Sequence, residues 1–305
     1  VAKLLARPEA TVYFLTRAVE QSHLQDLYEY WGCEASRAIP IVGDLTQAEL
    51  GVSKADIRKL KGKIEHFFHL AAIYDLKASA EDQQRANVDG TRNTVRLAEE
   101  IGAGHFHLVS SIASAGLFEG LFREDMFDEA ENLDNPYFRT KHDSEGIVRK
   151  ECRIPWRIFR PAIVVGDSRT GEMDKIDGPY YFFKLIQKMR KAFPSWMPTV
   201  GIEGGRINVV PVDFVVAAMD HIAHLKNEDG RCFHLTDPTP MRVGDLLNTF
   251  ARAAHAPEMV MRINAALLGF IPRTVRKAMF ALTPVRRIRN AVMKDLGLPD
   301  DILDF

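Results

Sequence analysis

Cysteine and long apolar runs are scarce in this 305-residue chain. Its three cysteines, Cys33, Cys152 and Cys232, lie far apart and lack metal-ligand spacing. This excludes a disulfide framework and makes a reducing, cytoplasmic compartment the simplest expectation. No apolar run approaches the roughly 20 residues of a membrane span, and the first residues have no signal-peptide pattern. We therefore expect no spanning segment.

Excess charge of either sign is also absent. The 40 basic and 41 acidic residues nearly cancel, so the whole-chain charge gives no reason to expect a nucleic-acid partner.

Two histidine pairs, His66 with His69 and His221 with His224, have the spacing of some metal ligands. His66 and His69 lie three residues apart on a predicted strand, so their side chains point to opposite faces of the sheet. Neither pair has an acidic residue at the spacing of a metal-binding motif. We expect no metal site.

What the chain does have is a regular alternation of strand-like and helix-like segments. Its 46% hydrophobic residues suffice for a full core. Buried-strand patterns occur at 11–15, 39–42, 64–72, 105–109 and 156–159, and helical patterns at 19–31, at 85–100 and from Pro136 onward. This alternation predicts an α/β fold of Rossmann type, a doubly wound parallel sheet with helices on both faces.

Ligands of such sheets bind at the carboxyl ends of the strands, where several candidates stand. Arg17 follows the first strand, and a cation there favours the 2′-phosphate of NADP; an ordinary solvated arginine is the alternative. Asp44 and Leu45 follow the next strand, where they would contact the adenine, or where the aspartate simply forms a turn. Ala71 and Ala72 end another strand with side chains small enough for a cofactor to approach the backbone, although tight packing explains them equally.

One helix start carries the clearest chemistry. Asn135 is a good N-cap and Pro136 a good first helical residue, so Tyr137 and Lys141 should share one face of a helix. A phenol titrates at about 10, and a lysine cation one turn away would lower that pKa toward neutral pH. Taken alone, Tyr-x-x-x-Lys is also a common accident on a helix.

Other polar residues fall near this helix in the predicted sheet. The strand at 105–109 ends in Ser110 and Ser111, and a serine there can hold a carbonyl oxygen while Tyr137 protonates it. Asn87 is expected at the head of its helix, either as an N-cap or as the ligand of a water in a proton relay.

These ordered motifs resemble the extended short-chain dehydrogenase/reductase family over nearly the whole chain. The resemblance implies a catalytic triad of Ser111, Tyr137 and Lys141, with Asn87 completing the proton relay. It also implies that Ser110, Tyr137 and Lys141 contact the cofactor.

Segments outside the triad extend the resemblance. Pro161, Ala162, Ile163 and Val164 match the stretch that passes beneath the nicotinamide, and 208–213 matches a later strand-to-helix element. Three loops look most like those of bacterial fatty acyl-CoA reductases and thioester-reductase domains: 15–17, 69–75 and 166–172. The resemblance therefore implies an NADPH-dependent enzyme of lipid metabolism that reduces a fatty acyl-CoA or a fatty aldehyde toward aldehyde or alcohol.

Two alternatives stay open. One is an NAD(P)-dependent hydroxysteroid or sugar-nucleotide dehydrogenase or epimerase that uses the same triad. The other is a non-catalytic dinucleotide-binding domain, because the family begins with a strand and a Gly-x-x-Gly-x-x-Gly turn for the pyrophosphate, and this sequence has no such turn. We expect that roughly 15 to 20 residues of strand, turn and helix start are missing.

The resemblance also divides the chain. Residues 1–166 with 204–235 should form the NADP-binding domain, and 167–203 with 236–305 a smaller, mostly helical substrate-binding subdomain. Large apolar residues at 178–189 would line an acyl pocket or form an ordinary subdomain core.

The acid-free segment 262–294 alternates basic and apolar residues, which predicts peripheral contact with anionic lipid, a site for coenzyme A phosphates, or a solvated face toward another domain. A further domain after Phe305 is an additional expectation.

Overall fold

The computed structural model describes residues 1–17, 21–70, 79–173 and 178–264. Helices and strands alternate along the first part of the chain: α1 (Ala2–Leu5), β1 (Val12–Thr16), α2 (Gln21–Trp31), β2 (Ala38–Val42), α3 (Lys54–Leu60), β3 (His66–His69), α4 (Ala80–Gln83), α5 (Gly90–Glu100), β4 (His105–Val109), α6 (Pro136–Glu151), β5 (Trp156–Pro161) and β6 (Ile163–Val165). The later elements are α7 (Phe182–Ala192), β7 (Thr199–Glu203), β8 (Arg206–Ile207), β9 (Val209–Pro211), α8 (Val212–Ala223), β10 (Arg231–Leu235), β11 (Met241–Arg242), α9 (Val243–Ala253) and β12 (Met259–Asn264).

The strands confirm the predicted parallel α/β architecture. A four-stranded sheet has the order β10-β5-β4-β3, and β1 pairs with β2; all of these pairings are parallel. In the larger sheet His66 lies opposite His105, and Phe106 lies opposite Trp156. Within the described ranges, β1 and β3 each have a hydrogen-bonded strand on one side only. The expected first strand of the family stays a prediction.

Helix α6 begins at the predicted residues. The side-chain oxygen of Asn135 accepts a hydrogen bond from the Tyr137 amide at 2.9 Å, and Pro136 stands at the first helical position, where its missing N–H is no loss. Arg149 and Lys150 lie in the last turn, where cations favour the helix dipole. The cap thus fixes Tyr137 and Lys141 in the first two turns of this helix.

The helix that carries Asn87 begins earlier than predicted. Ser79 caps it: the Ser79 hydroxyl oxygen accepts from the Asp82 amide at 3.0 Å and the hydroxyl donates to the Asp82 carboxylate at 2.7 Å. From α4 the chain continues through a π-helical segment, Gln84–Asp89, into α5. The expectation that Asn87 heads its helix is therefore wrong, because Ser79 with Asp82 offers the better N-terminal cap.

The core lies on both faces of the larger sheet. One cluster joins Phe106, Leu108 and Ile158 of the strands to apolar residues of α3, α5 and α6, including Ile147 and Val148. A second cluster joins Phe159 and Leu235 to Val215 and Met219 of α8. This is the double winding that the alternation of elements predicts.

Four histidines lie together near the start of β3 and β4: His66, His105, His107 and His224. The spacing of histidines along the sequence did not predict this cluster. The ring of His66 lies 4.6 Å from that of His224 and 5.2 Å from those of His105 and His107, centroid to centroid. His66 Nδ1 and His107 Nε2 lie 3.0 Å apart and share a hydrogen bond, in which one of the two nitrogens is the donor. Burial lowers the pKa of His66 to about 4 and that of His107 to about 2, so both rings are neutral at neutral pH. Among the described residues no group of His, Cys, Asp or Glu has a metal-site arrangement.

The chain divides into two compact units, Val1–Thr170 with Val210–Thr236, and Gly171–Val209 with Asp237–Phe305. In the second unit β7 pairs with β12 and β8 with β11, and the described helices are α7 and α9. The rings of Tyr180, Phe183 and Phe250 pack edge to face or stacked, so this apolar stretch supplies part of the unit's own core.

No helix in the described ranges is long and apolar enough to cross a bilayer. Most of the basic segment 262–294 lies outside the described residues.

Candidate active site

Lys141 is a buried cation on α6, one turn after Tyr137. Its Nζ donates to the carbonyl of Val109 at 3.4 Å, at the end of β4. Burial lowers the pKa of Lys141 to about 8. The ammonium therefore keeps its charge at neutral pH and loses its proton at mildly alkaline pH. Tyr137 is half-buried on the same helix face. The structure therefore places a buried positive charge one helical turn after the predicted proton donor.

The two serines after β4 have different hydrogen-bond partners. Ser110 is buried, and its hydroxyl donates to Glu145 Oε2 at 3.1 Å. Ser111 is half-buried and caps the short 3-10 turn Ile112–Ala115, where its oxygen accepts from the Ala113 amide at 3.2 Å. Within the described residues no acceptor takes the Ser111 hydroxyl hydrogen. Ser111 can therefore donate to a ligand oxygen, whereas the donor of Ser110 is already used.

Asn87 is buried in the π-helical segment against α6. Its Nδ2 donates to the Thr140 hydroxyl at 3.2 Å, and its carbonyl accepts from the hydroxyls of Thr91 at 2.6 Å and Ser144 at 2.9 Å. A π-helical segment leaves backbone carbonyls without their usual helical donors, and such segments are frequent at functional sites. The segment brings Asn87 next to the helix turn that carries Lys141.

A small buried cavity joins these residues. Its volume is about 10 Å³, enough for a single water molecule. Its lining consists of His69, Asn87, Thr91, Leu108, Val109, Ser110, Lys141 and Ser144. The structure thus brings Asn87, Ser110 and Lys141 together around a water-sized space, as a proton relay requires.

His69 is a member of this cluster that sequence reasoning missed. Its Nε2 lies 3.0 Å from the Thr91 hydroxyl oxygen, and that hydroxyl donates its own hydrogen to the carbonyl of Asn87. His69 must therefore donate through Nε2–H. Burial lowers the pKa of His69 to about 3, so the ring stays neutral. The sequence pattern predicts a strand that continues to residue 72, whereas β3 ends at His69, so the position of His69 at a strand end was not evident from the sequence.

The predicted adenine-side residues also lie at strand ends. Asp44 accepts from the amide and the hydroxyl of Thr46 at 2.8 and 2.7 Å, and these bonds, with the charges of Arg17 and Arg85, lower the pKa of its carboxyl. Leu45 is half-buried against the core. Arg85 is a second cation near Asp44 that the sequence did not single out.

The residues predicted to lie beneath the nicotinamide extend from the end of β5 into β6. Pro161 and Ala162 are buried, Ile163 is half-buried and Val164 is exposed. The Ala162 amide donates to the carbonyl of Leu235 at 3.0 Å, which fixes this stretch to β10. Ala71 and Ala72 lie outside the described residues.

An apolar loop, residues 117–122, follows Ser111 and was not predicted. It begins after Gly116, whose φ of 67° and close approach to the Glu131 carbonyl leave no room for a side chain. Leu117 and Leu121 are 60% and 80% exposed. The loop therefore offers exposed apolar surface a few residues after the predicted catalytic serine in the chain. A larger cleft of about 360 Å³, on another side of α6 and lined by residues such as Arg92 and Lys150, contains none of the predicted site residues.

Comparison with known proteins shows which family the chain belongs to. The family model described as "Male sterility protein", an NAD-binding family, matches residues 1–219. The chain is 30% identical over 259 residues to a linear gramicidin synthase of Brevibacillus parabrevis, covering 80% of this chain and 5% of that protein. It is 26% identical over 262 residues to aldehyde reductase lnbA of Aspergillus flavus, covering 78% of this chain and 25% of that protein.

A solved structure agrees with these matches. The terminal R domain from the myxalamid PKS-NRPS biosynthetic pathway superposes with a TM-score of 0.72 at 25% identity, covering 96% of this chain and 73% of that chain. The chain spans 5%, 22% and 27% of the first three curated relatives, which are peptide synthetases. The match therefore concerns a segment of much longer proteins.

Proposed function

This chain belongs to the male sterility protein family of NAD-binding domains, within the extended short-chain dehydrogenases/reductases, and from that premise we propose an NADPH-dependent reduction of an acyl thioester or of the derived aldehyde. The family makes it an NAD(P)-dependent oxidoreductase. The further proposals are the phosphorylated cofactor, the fatty acyl-CoA or fatty aldehyde substrate, and the roles of Ser111, Tyr137, Lys141 and Asn87.

The described residues fit a nicotinamide dinucleotide at both ends. Arg17, Arg85 and Asp44 would hold the adenosine end, with the two arginines near a 2′-phosphate. Pro161 and Ala162 would lie beneath the nicotinamide ring. When bound, the nicotinamide supplies the hydride. The sequence contains no Gly-x-x-Gly-x-x-Gly turn for the pyrophosphate, so no residue is assigned to that group.

The protein's own residues move and stabilise the proton. Ser111 would donate a hydrogen bond to the substrate carbonyl oxygen, and Tyr137 would protonate that oxygen as the carbonyl carbon is reduced. The Lys141 ammonium would lower the pKa of the phenol. Asn87 would hold a water in the small cavity, through which the proton is replaced. With a thioester, the resulting hemithioacetal would release thiol and aldehyde, and a second reduction would give the alcohol.

One observation carries the proposal. Ser111 has a hydroxyl hydrogen that no described acceptor takes, while the buried Lys141 on the Tyr137 helix borders a water-sized cavity together with Asn87. A purely structural cluster would not need a charged lysine whose only described hydrogen bond is a long one to the Val109 carbonyl.

Comparing substrates tests the proposal. The full-length gene product should oxidise NADPH with a long-chain acyl-CoA or a long-chain aldehyde, but not reduce NAD(P)⁺ with a hydroxysteroid or a nucleotide sugar. Turnover of the last two alone would support the dehydrogenase alternative. Cofactor binding without turnover of any of the four would support the non-catalytic alternative.

A further inference from the structure

A buried ion pair lies one turn beyond Lys141. Glu145 of α6 and Arg160 of β5 are both 0% exposed. The guanidinium binds the carboxylate through two parallel bonds, Nε to Oε2 at 3.0 Å and Nη2 to Oε1 at 2.5 Å. Paired geometry of this kind is specific to arginine, because the planar fork matches the two carboxylate oxygens.

The carboxylate of Glu145 is fully satisfied. Besides the two bonds from Arg160, its Oε2 accepts from the Ser110 hydroxyl at 3.1 Å and its Oε1 accepts from Arg149 Nε at 2.9 Å. Burial alone would raise the pKa of Glu145, but these bonds and the two positive charges lower it below its ordinary value. Glu145 is therefore ionised, and it holds the strand end that leads into Ser111.

Arg160 also reaches the chain that follows the apolar loop. Its Nη2 donates to the carbonyl of Met126 at 2.9 Å, and its Nη1 donates to the carbonyl of Arg123 at 3.4 Å. The guanidinium carbon lies 5.0 Å from the centre of the Phe122 ring. One guanidinium thus connects α6, the end of β5 and the chain at 122–126.

A buried ion pair is a weak source of stability, since apolar residues of similar volume often serve as well. Its use here is geometric, because Glu145 lies on the helix of Tyr137 and Lys141, accepts from Ser110 beside Ser111, and is bound by Arg160 of β5. Resting on the proposed function, we propose that Glu145 and Arg160 are positioning residues. They fix the Ser110–Ser111 strand end, the Tyr137 and Lys141 helix and the apolar loop 117–122 in one arrangement.

A replacement of both charges separates positioning from stability. In the full-length gene product, Glu145→Leu and Arg160→Met should each lower the melting temperature. The first leaves the buried Arg160 without its carboxylate, and the second leaves the buried Glu145 with Arg149 as its one remaining cation. The double variant should recover most of that loss. It should nevertheless show amide exchange at 117–126 that is about tenfold faster than in the parent, and a kcat about tenfold to hundredfold lower.

Two further variants complete the test. Arg160→Lys keeps the charge but loses the fork, so it should fold, exchange faster at 117–126 and turn over more slowly. Glu151→Gln, on the same helix, removes an exposed partner of Arg92 and should change neither exchange nor kcat.

The inference is overturned if the double variant or Arg160→Lys matches the parent within about threefold in both exchange and kcat. It is also overturned if neither variant folds, since the pair would then serve global stability. Failure of the proposed function has a different signature: the parent would oxidise no NADPH with any thioester or aldehyde, while the exchange differences at 117–126 would remain.

Discussion

Asn87 and Thr140 join the π-helical segment to α6 through one side-chain hydrogen bond of 3.2 Å. Thr140 directly precedes Lys141, so this bond sets the distance between the proposed relay amide and the proposed cation. The carbonyl of Asn87 accepts from the Ser144 hydroxyl one turn further along. The two helices are thus held together on both sides of Lys141.

Replacing Asn87 should slow proton transfer. Asn87→Ala removes the amide that borders the water-sized cavity, and we expect kcat to fall by about tenfold or more while the KM for NADPH stays within about threefold. Thr140→Val removes the hydroxyl partner but not the amide, and serves as the matched control with a loss of less than about threefold. Equal losses in the two variants would mean that Asn87 only holds the helices together.

Lys141 should give the reaction an upper pH limit. With a pKa of about 8 in the folded protein, its cation is lost above that pH, so kcat should decline from about pH 8 upward. A kcat that stays constant to pH 10 would contradict the role of the cation.

The same pKa affects stability. The unfolded chain binds one more proton than the folded chain between pH 8 and 10.5, so the folded state gains stability across that window as pH rises. Lys141→Met should remove this slope and raise the free energy of unfolding at pH 7 by about 1–3 kcal/mol, while it abolishes turnover. Urea titrations at pH 7 and 10 measure both effects.

The histidine cluster should destabilise the fold in acid. His66 and His107 titrate at about 4 and about 2 in the folded protein against 6.5 for the free side chain, so stability present above pH 6.5 should be lost as pH falls toward 4. His107→Phe should reduce this loss by about 1–2 kcal/mol in urea titrations at pH 7 and 4.5. His23→Gln, at an exposed position, is the control and should leave the pH dependence unchanged.

Arg17 should determine the preference for NADP. Arg17→Ser removes a cation from the proposed 2′-phosphate site, so the KM for NADPH should rise by about tenfold and that for NADH by less than about threefold. Adding Arg85→Ser should widen the difference. Equal effects on both cofactors would contradict a phosphate site at these arginines.

Local signals in the sequence predicted the sheet and one helix start, because they depend on residues close together in the chain. Asn135 and Pro136 define the start of α6 by capping alone, and the apolar runs at 105–109 and 156–159 define two central strands. Asn87 was misplaced because Ser79 and Asp82 form a better cap upstream.

Features that depend on distant pairings could not be predicted. Glu145 and Arg160 gave no local pattern, and they meet only when α6 packs beside β5. His69 and Thr91 likewise meet across a strand and a helix. The separate roles of Ser110 and Ser111 follow from Glu145, so the sequence alone could not distinguish them.

The most direct measurement of the central claim is NADPH oxidation by Tyr137→Phe in the full-length gene product, with a long-chain acyl-CoA or aldehyde as substrate. The phenyl ring keeps the helix packing but cannot donate a proton. We predict that kcat falls by about a hundredfold or more, while NADPH binding stays within about threefold of the parent. Turnover close to that of the parent, with cofactor binding intact, would show that Tyr137 is not the proton donor.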